Sequence, residues 1–203
     1  MPGPEDVNRF AIFALLLVVL ITQIGVGIIA PILSVYAIEL GATGVTIGLM
    51  VAGFSIARGI LQPIVGNYSD RLGQKRFLVA GLVTYAVAAV TYTFAGSVGH
   101  LVLIRLFHGV GSAMTVPMAM AIMAGMSPKG KEGRYMGIFN VAMFAGIGGG
   151  PLVGGVFRDL WGMNSAFYAM AITSLLAMIL VLILLPTRAQ GQENRPRSGI
   201  FTT

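Results

Sequence analysis

Apolar residues run along this chain in six blocks, each near the twenty or so that a helix needs to cross the ~30 Å hydrocarbon layer of a bilayer. The blocks occupy residues 10–36, 45–66, 77–95, 99–125, 135–156 and 165–185. Polar positions gather between them, in GATG, NYSDRLGQKR, GSVGH, SPKGKEGR and RDLWGMNS. Connections this short make each helix an antiparallel neighbour of the next. The first block is too long for a signal-peptide core and has no small-residue cleavage site at its end, so it reads as a retained helix. The pattern predicts an all-α polytopic membrane protein. Residues 1–9 form a short N-terminal segment and 10–186 a six-helix unit. Residues 187–203 form a polar, basic tail, broken by Pro and Gly and expected to be mobile.

A shift of 89 positions lays GNYSDRLG on GVFRDLWG, so that Gly66, Asp70 and Gly73 fall on Gly155, Asp159 and Gly162. The same shift lays Gly48 on Gly137 and Gly59 on Gly148. The shared spacing stands at a helix-to-loop corner in both halves, with three spans per half. The two corners lie on opposite sides of the membrane, as a three-plus-three inverted repeat (about 10–95 and 99–186) requires.

Composition narrows the class. Charged residues make up 10% and hydrophobic residues 56%, against about a quarter charged in a soluble domain. The net charge of +6 would suit nucleic acid, but its distribution follows membrane topology instead. With the N-terminus inside, Arg9, Arg71, Lys75, Arg76, Lys129, Lys131, Arg134, Arg188, Arg195 and Arg197 are cytoplasmic. Arg158 alone falls outside, and Arg58 and Arg105 lie within spans. Cysteine is absent, so no thiolate metal site or disulfide exists. No paired carboxylates, zinc cluster or nucleophile triad occurs, and the chain does not read as an enzyme or a metalloprotein.

Three motifs carry the chemistry. In GNYSDRLGQKR, Gly66 allows a close helix approach and Gly73 a tight turn, while the cations hold the connection at an anionic leaflet. Asp70 closes a helix whose own dipole disfavours an anion there, so it needs a cationic side chain or another helix's N-terminus, unless it is simply solvated. In RLFHGVGSA, Arg105 costs about 2.5–3.5 kcal/mol at a membrane centre, which makes it a functional candidate unless it snorkels to the interface. His108 lies one turn deeper; it either titrates near neutral pH or is a neutral structural residue. In GIFNVAMFAGIGGGPLVGG, Gly146, Gly150 and Gly154 recur every fourth residue and form a groove for a second backbone. Pro151 removes one helix hydrogen bond and permits a bend. Among the other intramembrane polar groups, Gln23, Arg58 and Asn140 are candidates to line a substrate cavity.

These motifs resemble the signatures of the major facilitator superfamily. Gly66, Asp70, Arg71, Gly73, Lys75 and Arg76 match the loop 2–3 signature, with Gln74 where a basic residue is common. Arg105, Gly109, Gly111 and Ala113 match the helix-four signature. Gly137, Gly146, Gly150, Pro151, Gly154 and Gly155 match the helix-five motif of drug/proton antiporters. The resemblance implies half of a twelve-helix fold, with a second six-helix half, from a missing C-terminal part or another chain, as partner. It implies proton-driven efflux of amphipathic small molecules, without a bound cofactor, across a bacterial or archaeal cytoplasmic membrane. Asp70 would act in a cytoplasmic latch, Arg105 and His108 in proton coupling, and helix five as a gate. Glu39, Asp70 and Asp159 all lie near span ends, so no mid-membrane acid is available for coupling within the chain. Sugar or small-metabolite transport within the same family, or a truncated non-transporting remnant, are the other readings. With no second half in view, the glycine groove of helix five stands without an obvious partner.

Overall fold

A computed structural model describes residues 4–185. Among them are six helices: α1 (Pro4–Glu39), α2 (Gly44–Leu72), α3 (Gln74–Tyr92), α4 (Val98–Met126), α5 (Glu132–Trp161) and α6 (Met163–Leu184). All six are long and apolar enough to cross a membrane. The tail at 187–203 lies outside the described residues.

The helices run further than the apolar blocks. Residues 67–72 and 157–161, expected in the connections after the second and fifth spans, are the last turns of α2 and α5. Each of these two connections is a single glycine, Gly73 or Gly162, at φ 97° and 86°. In this left-handed region a Cβ is strained, and glycine can end one helix and start the next without a loop. The two corners match bond for bond. Gly73 N–H donates to the Ser69 carbonyl and Gly162 N–H to the Arg158 carbonyl, both at 2.8 Å. Arg76 N–H returns to Gly73 and Ser165 N–H to Gly162, both at 3.2 Å. The 89-residue shift relates every one of these pairs, so the echo in the sequence is an inverted repeat in the fold.

Packing obeys the same symmetry. Exchanging α1 with α4, α2 with α5 and α3 with α6 turns the α1–α5 contact into α4–α2, and α1–α6 into α4–α3. The two crossing pairs, α1–α5 and α2–α4, are parallel by topology. Their four helices each contain an internal proline: Pro31, Pro63, Pro117 and Pro151.

Two apolar clusters stack along the helix direction. One holds Ile28, Leu33, Tyr85, Tyr92, Leu101 and Phe167. The other, nearer the N-terminal side, holds Leu15, Val18, Leu82, Met123, Phe139 and Val181. Three of the five methionines of α4 (Met118, Met123 and Met126) are buried in this second cluster. Between the clusters lies a polar stratum of buried Thr22, Gln23, His108, Ser112, Thr115 and Ser174.

Candidate functional site

The glycine groove of α5 is filled from within the chain, which overturns the expectation of an absent partner. The second backbone is that of α1. A Cβ placed on Gly150 would stand 2.5 Å from Gly27 Cα and 2.6 Å from the Ile24 carbonyl oxygen. One placed on Gly146 would meet Gln23 Cβ and the Leu20 carbonyl, both at 2.7 Å, and one on Gly154 would meet Ile28 Cγ2 at 3.0 Å. From α1 the contact is reciprocal, since a Cβ on Gly27 would lie 2.6 Å from the Ile147 carbonyl. The four-residue glycine period thus gives backbone-on-backbone packing, as small residues do between membrane helices. The flanking glycines of the motif differ. Around Gly137 and Gly155, among the described residues, no atom beyond their own helix backbone stands within 4 Å of an added Cβ.

The symmetry-related crossing uses other chemistry. Gly109 of α4 lets the helix meet α2, with an added Cβ 2.5 Å from the Phe54 carbonyl and 2.9 Å from Ala57 Cβ. Behind Gly109 the His108 ring is fully buried, edge-on to Tyr85 at 4.7 Å and to Phe54 at 5.4 Å between ring centres. Its Nδ1 lies 3.4 Å from the Tyr92 hydroxyl. The Arg105 guanidinium stands 5.6 Å over the Phe54 ring, a cation–π arrangement. Thr115 donates a hydrogen bond of 3.1 Å to the Tyr85 hydroxyl. Among the described residues, buried Arg105 Nε, His108 Nε2 and Ser174 Oγ have no hydrogen-bond partner. The tyrosines on α3 were not legible as site residues, although their i, i+7 spacing on one helix face was the available signal.

Gly66 and Asp70 line an open groove of about 450 Å³ between α2 and α4, with Gly59, Gln62, Pro117 and Met118. Among the described residues, none outside its own helix backbone stands within 4 Å of a Cβ added to Gly66, so the close approach inferred for it is not made by them. Ser69 is buried beside it and donates 2.8 Å to the Gly66 carbonyl. Lys75 departs from the expected contact with the leaflet. Its ammonium donates to the Leu182 carbonyl at 3.2 Å and the Leu185 carbonyl at 2.5 Å. A cation there satisfies carbonyls left open at the end of a helix and suits its dipole. Arg71 and Arg76 remain exposed.

The candidate cavity residues stand on three helices. Gln23 is 5% exposed and wedged in the α1–α5 contact, beside a void of about 10 Å³ that Thr22, Thr115 and Phe139 also line. Arg58 and Asn140 are half-buried on α2 and α5. Among the described residues, no three His, Asp or Glu side chains gather to hold a metal ion.

A family model described as Major Facilitator Superfamily matches residues 15–200. An MFS-type transporter of Methanocaldococcus jannaschii is 40% identical over 169 residues, which is 83% of this chain and 44% of that protein. The quinolone resistance protein NorA of Staphylococcus aureus is 28% identical over 174 residues, 86% of this chain and 45% of that protein. The human organic anion transporter MFSD10 (TETRAN) superposes with a TM-score of 0.74 at 18% identity, over 91% of this chain and 48% of that one, and this likeness shows the fold alone. The chain spans about half the length of the curated relatives it matches.

Proposed function

The chain belongs to the Major Facilitator Superfamily, and from that premise we propose that it works as one six-helix half of a proton-coupled exporter of amphipathic compounds. The observation that carries this reading is the polar stratum. Lipid does not require polar groups at mid-membrane, and leaving a buried one unpartnered costs about 1–3 kcal/mol. His108 Nε2 in the stratum and, three residues before it on the same helix, the buried Nε of the half-buried Arg105 are two such groups. Groups in this state fit a site that exchanges partners during a cycle better than one that only holds helices together. The similarity to a quinolone resistance protein and the full set of helix-five motif positions favour drugs over sugars.

In this reading α1 and α5 move as one body, locked through Gly27 and Gly150. The α2–α4 groove at Gly66 and Asp70 receives a helix of the opposite half when the N-terminal side closes. That side is cytoplasmic, and the protein resides in a bacterial or archaeal cytoplasmic membrane. Arg105, with His108 beneath it, carries the coupling charge, and the proton gradient supplies the driving force.

The test is flux in reconstituted vesicles under an imposed pH gradient, with lipophilic cations, sugars and organic acids compared and the detergent-resolved mass measured in parallel. Gradient-dependent movement of the lipophilic cations, abolished in Arg105→Gln, is the expected result. A strict monomer that moves none of the panel defeats the transport reading for this chain.

A further inference from the structure

A second cavity lies apart from the polar stratum, where α1 and α5 begin on the N-terminal side. It is about 410 Å³. From α1 it takes Arg9, Ile12, Phe13 and Leu16, and from α5 and its N-cap Lys131, Arg134, Tyr135 and Ile138. Both helices contribute positions i, i+3, i+4 and i+7, so each presents one continuous stripe to the groove. The two helices run in the same direction, and their stripes therefore change character together. Cations stand at the mouth, and apolar side chains follow over about 10 Å of helix rise into the membrane. Among the residues whose side chains are described, no acidic one lines the groove. Glu132 is exposed on the first turn of α5, where an anion suits the helix dipole.

We propose that this groove binds the phosphate headgroup and upper acyl chain of an anionic phospholipid in the leaflet on the N-terminal side. The gradient of chemistry with depth argues for a lipid. A soluble anion needs the cations but not the apolar floor, and a neutral lipid needs the floor but not three cations. Phe13 is 66% exposed and Ile138 42%, so the floor is open to a chain arriving from the side. Basic pockets between helices at a membrane surface hold such headgroups through the attraction of Lys and Arg, worth about 1 kcal/mol for each cation near an anionic surface. The lipid then bridges the starts of the two helices whose glycines interlock deeper in the bilayer. It extends the α1–α5 pair to the membrane surface without a protein–protein contact.

The experiment is native mass spectrometry of the detergent-solubilised chain with equimolar phosphatidylglycerol and phosphatidylcholine added. The expected result is preferential retention of one phosphatidylglycerol, reduced at least fivefold in Arg9→Gln/Arg134→Gln. Arg71→Gln/Arg76→Gln removes two exposed cations on the same side that do not line the groove, and it is expected to leave retention unchanged. Ile138→Ser is expected to weaken retention while every cation stays in place. Equal loss in both arginine pairs would mean a diffuse surface charge effect and overturn the site. So would displacement of the lipid by millimolar inorganic phosphate, since the ligand would then be a free anion. Equal retention of phosphatidylcholine, or no retention in the wild type, also overturns it.

Discussion

Replacing Gly150 by alanine adds one methyl group, and the structure sets what that methyl meets. Its nearest atoms are Gly27 Cα at 2.5 Å and the Ile24 carbonyl oxygen at 2.6 Å. Both are backbone, so no side-chain rotation relieves the clash, and the helices must separate by about 1 Å to restore van der Waals distance. A gap of 0.5–1 Å forfeits about a quarter to a half of each contact's attraction, at 0.1–0.2 kcal/mol per atom pair. Over a few tens of atom pairs along the crossing this is about 1–3 kcal/mol, the range found for overpacked cores. Gly148→Ala is the internal control, because among the described residues no atom beyond its own helix backbone stands within 4 Å of its added methyl. It is expected to stay within about 0.5 kcal/mol of wild type. The assay is reversible unfolding in mixed micelles followed by helical ellipticity. Gly27→Ala should resemble Gly150→Ala, and the double variant should cost less than the sum, since helices already separated admit the second methyl. A Gly150→Ala protein as stable as Gly148→Ala, or strict additivity in the double variant, would refute the interlock.

The same reasoning transfers across the repeat: Gly109→Ala should destabilise by a similar 1–3 kcal/mol, since its methyl meets the Phe54 carbonyl at 2.5 Å, and unchanged unfolding would count against the paired-crossing view. Lys75→Met should uncap the end of α6 and speed amide exchange around Leu182, with Lys75→Arg retaining partial protection; because Lys75 is only half-buried, the stability loss should be about 1 kcal/mol or less. Asp70→Asn should leave membrane insertion unchanged while lowering flux in vesicles, and full flux would remove it from any latch. Gly150→Leu should insert normally yet abolish exchange, and wild-type exchange would mean that transport does not need the α1–α5 interlock.

The fold was largely legible because lipid makes the code simple: an apolar block near twenty residues long has few alternatives to a spanning helix. The echo at Gly73 and Gly162 gave the symmetry. Helix ends were less legible. NYSDRL and RDLW are polar, and composition alone assigns them to loops, whereas one glycine at positive φ lets the helix run to the corner. The α5 groove was visible as a period of small residues, but its occupant was not. Gly27 stands in a run of apolar residues in α1, and nothing local marks it as the facing surface. The role of Lys75 was hidden for a similar reason, because its acceptors lie more than a hundred residues away.

Two crossings related by one symmetry have diverged in what they bury, and this divergence separates two tasks. At α1–α5 the backbones touch through Gly27 and Gly150, and a contact made of backbone cannot slide without reopening several close approaches at once. It suits a fixed joint. At α2–α4 the approach at Gly109 is equally close, but the space beside it holds Arg105, His108 and two tyrosine hydroxyls among aromatic rings. There the cost of a small movement depends on which polar partners are present, because a buried donor gains most when a partner arrives and loses most when it leaves. A change of protonation or of bound ligand can therefore alter the energy of the second crossing while leaving the first untouched. The consequence is testable within one chain: substitutions at Arg105 or His108 should change the response of α2–α4 amide exchange to pH, whereas Gly27→Ala should lower protection along α1 and α5 equally at every pH. Identical pH responses at the two crossings would mean that the polar stratum does not divide their roles.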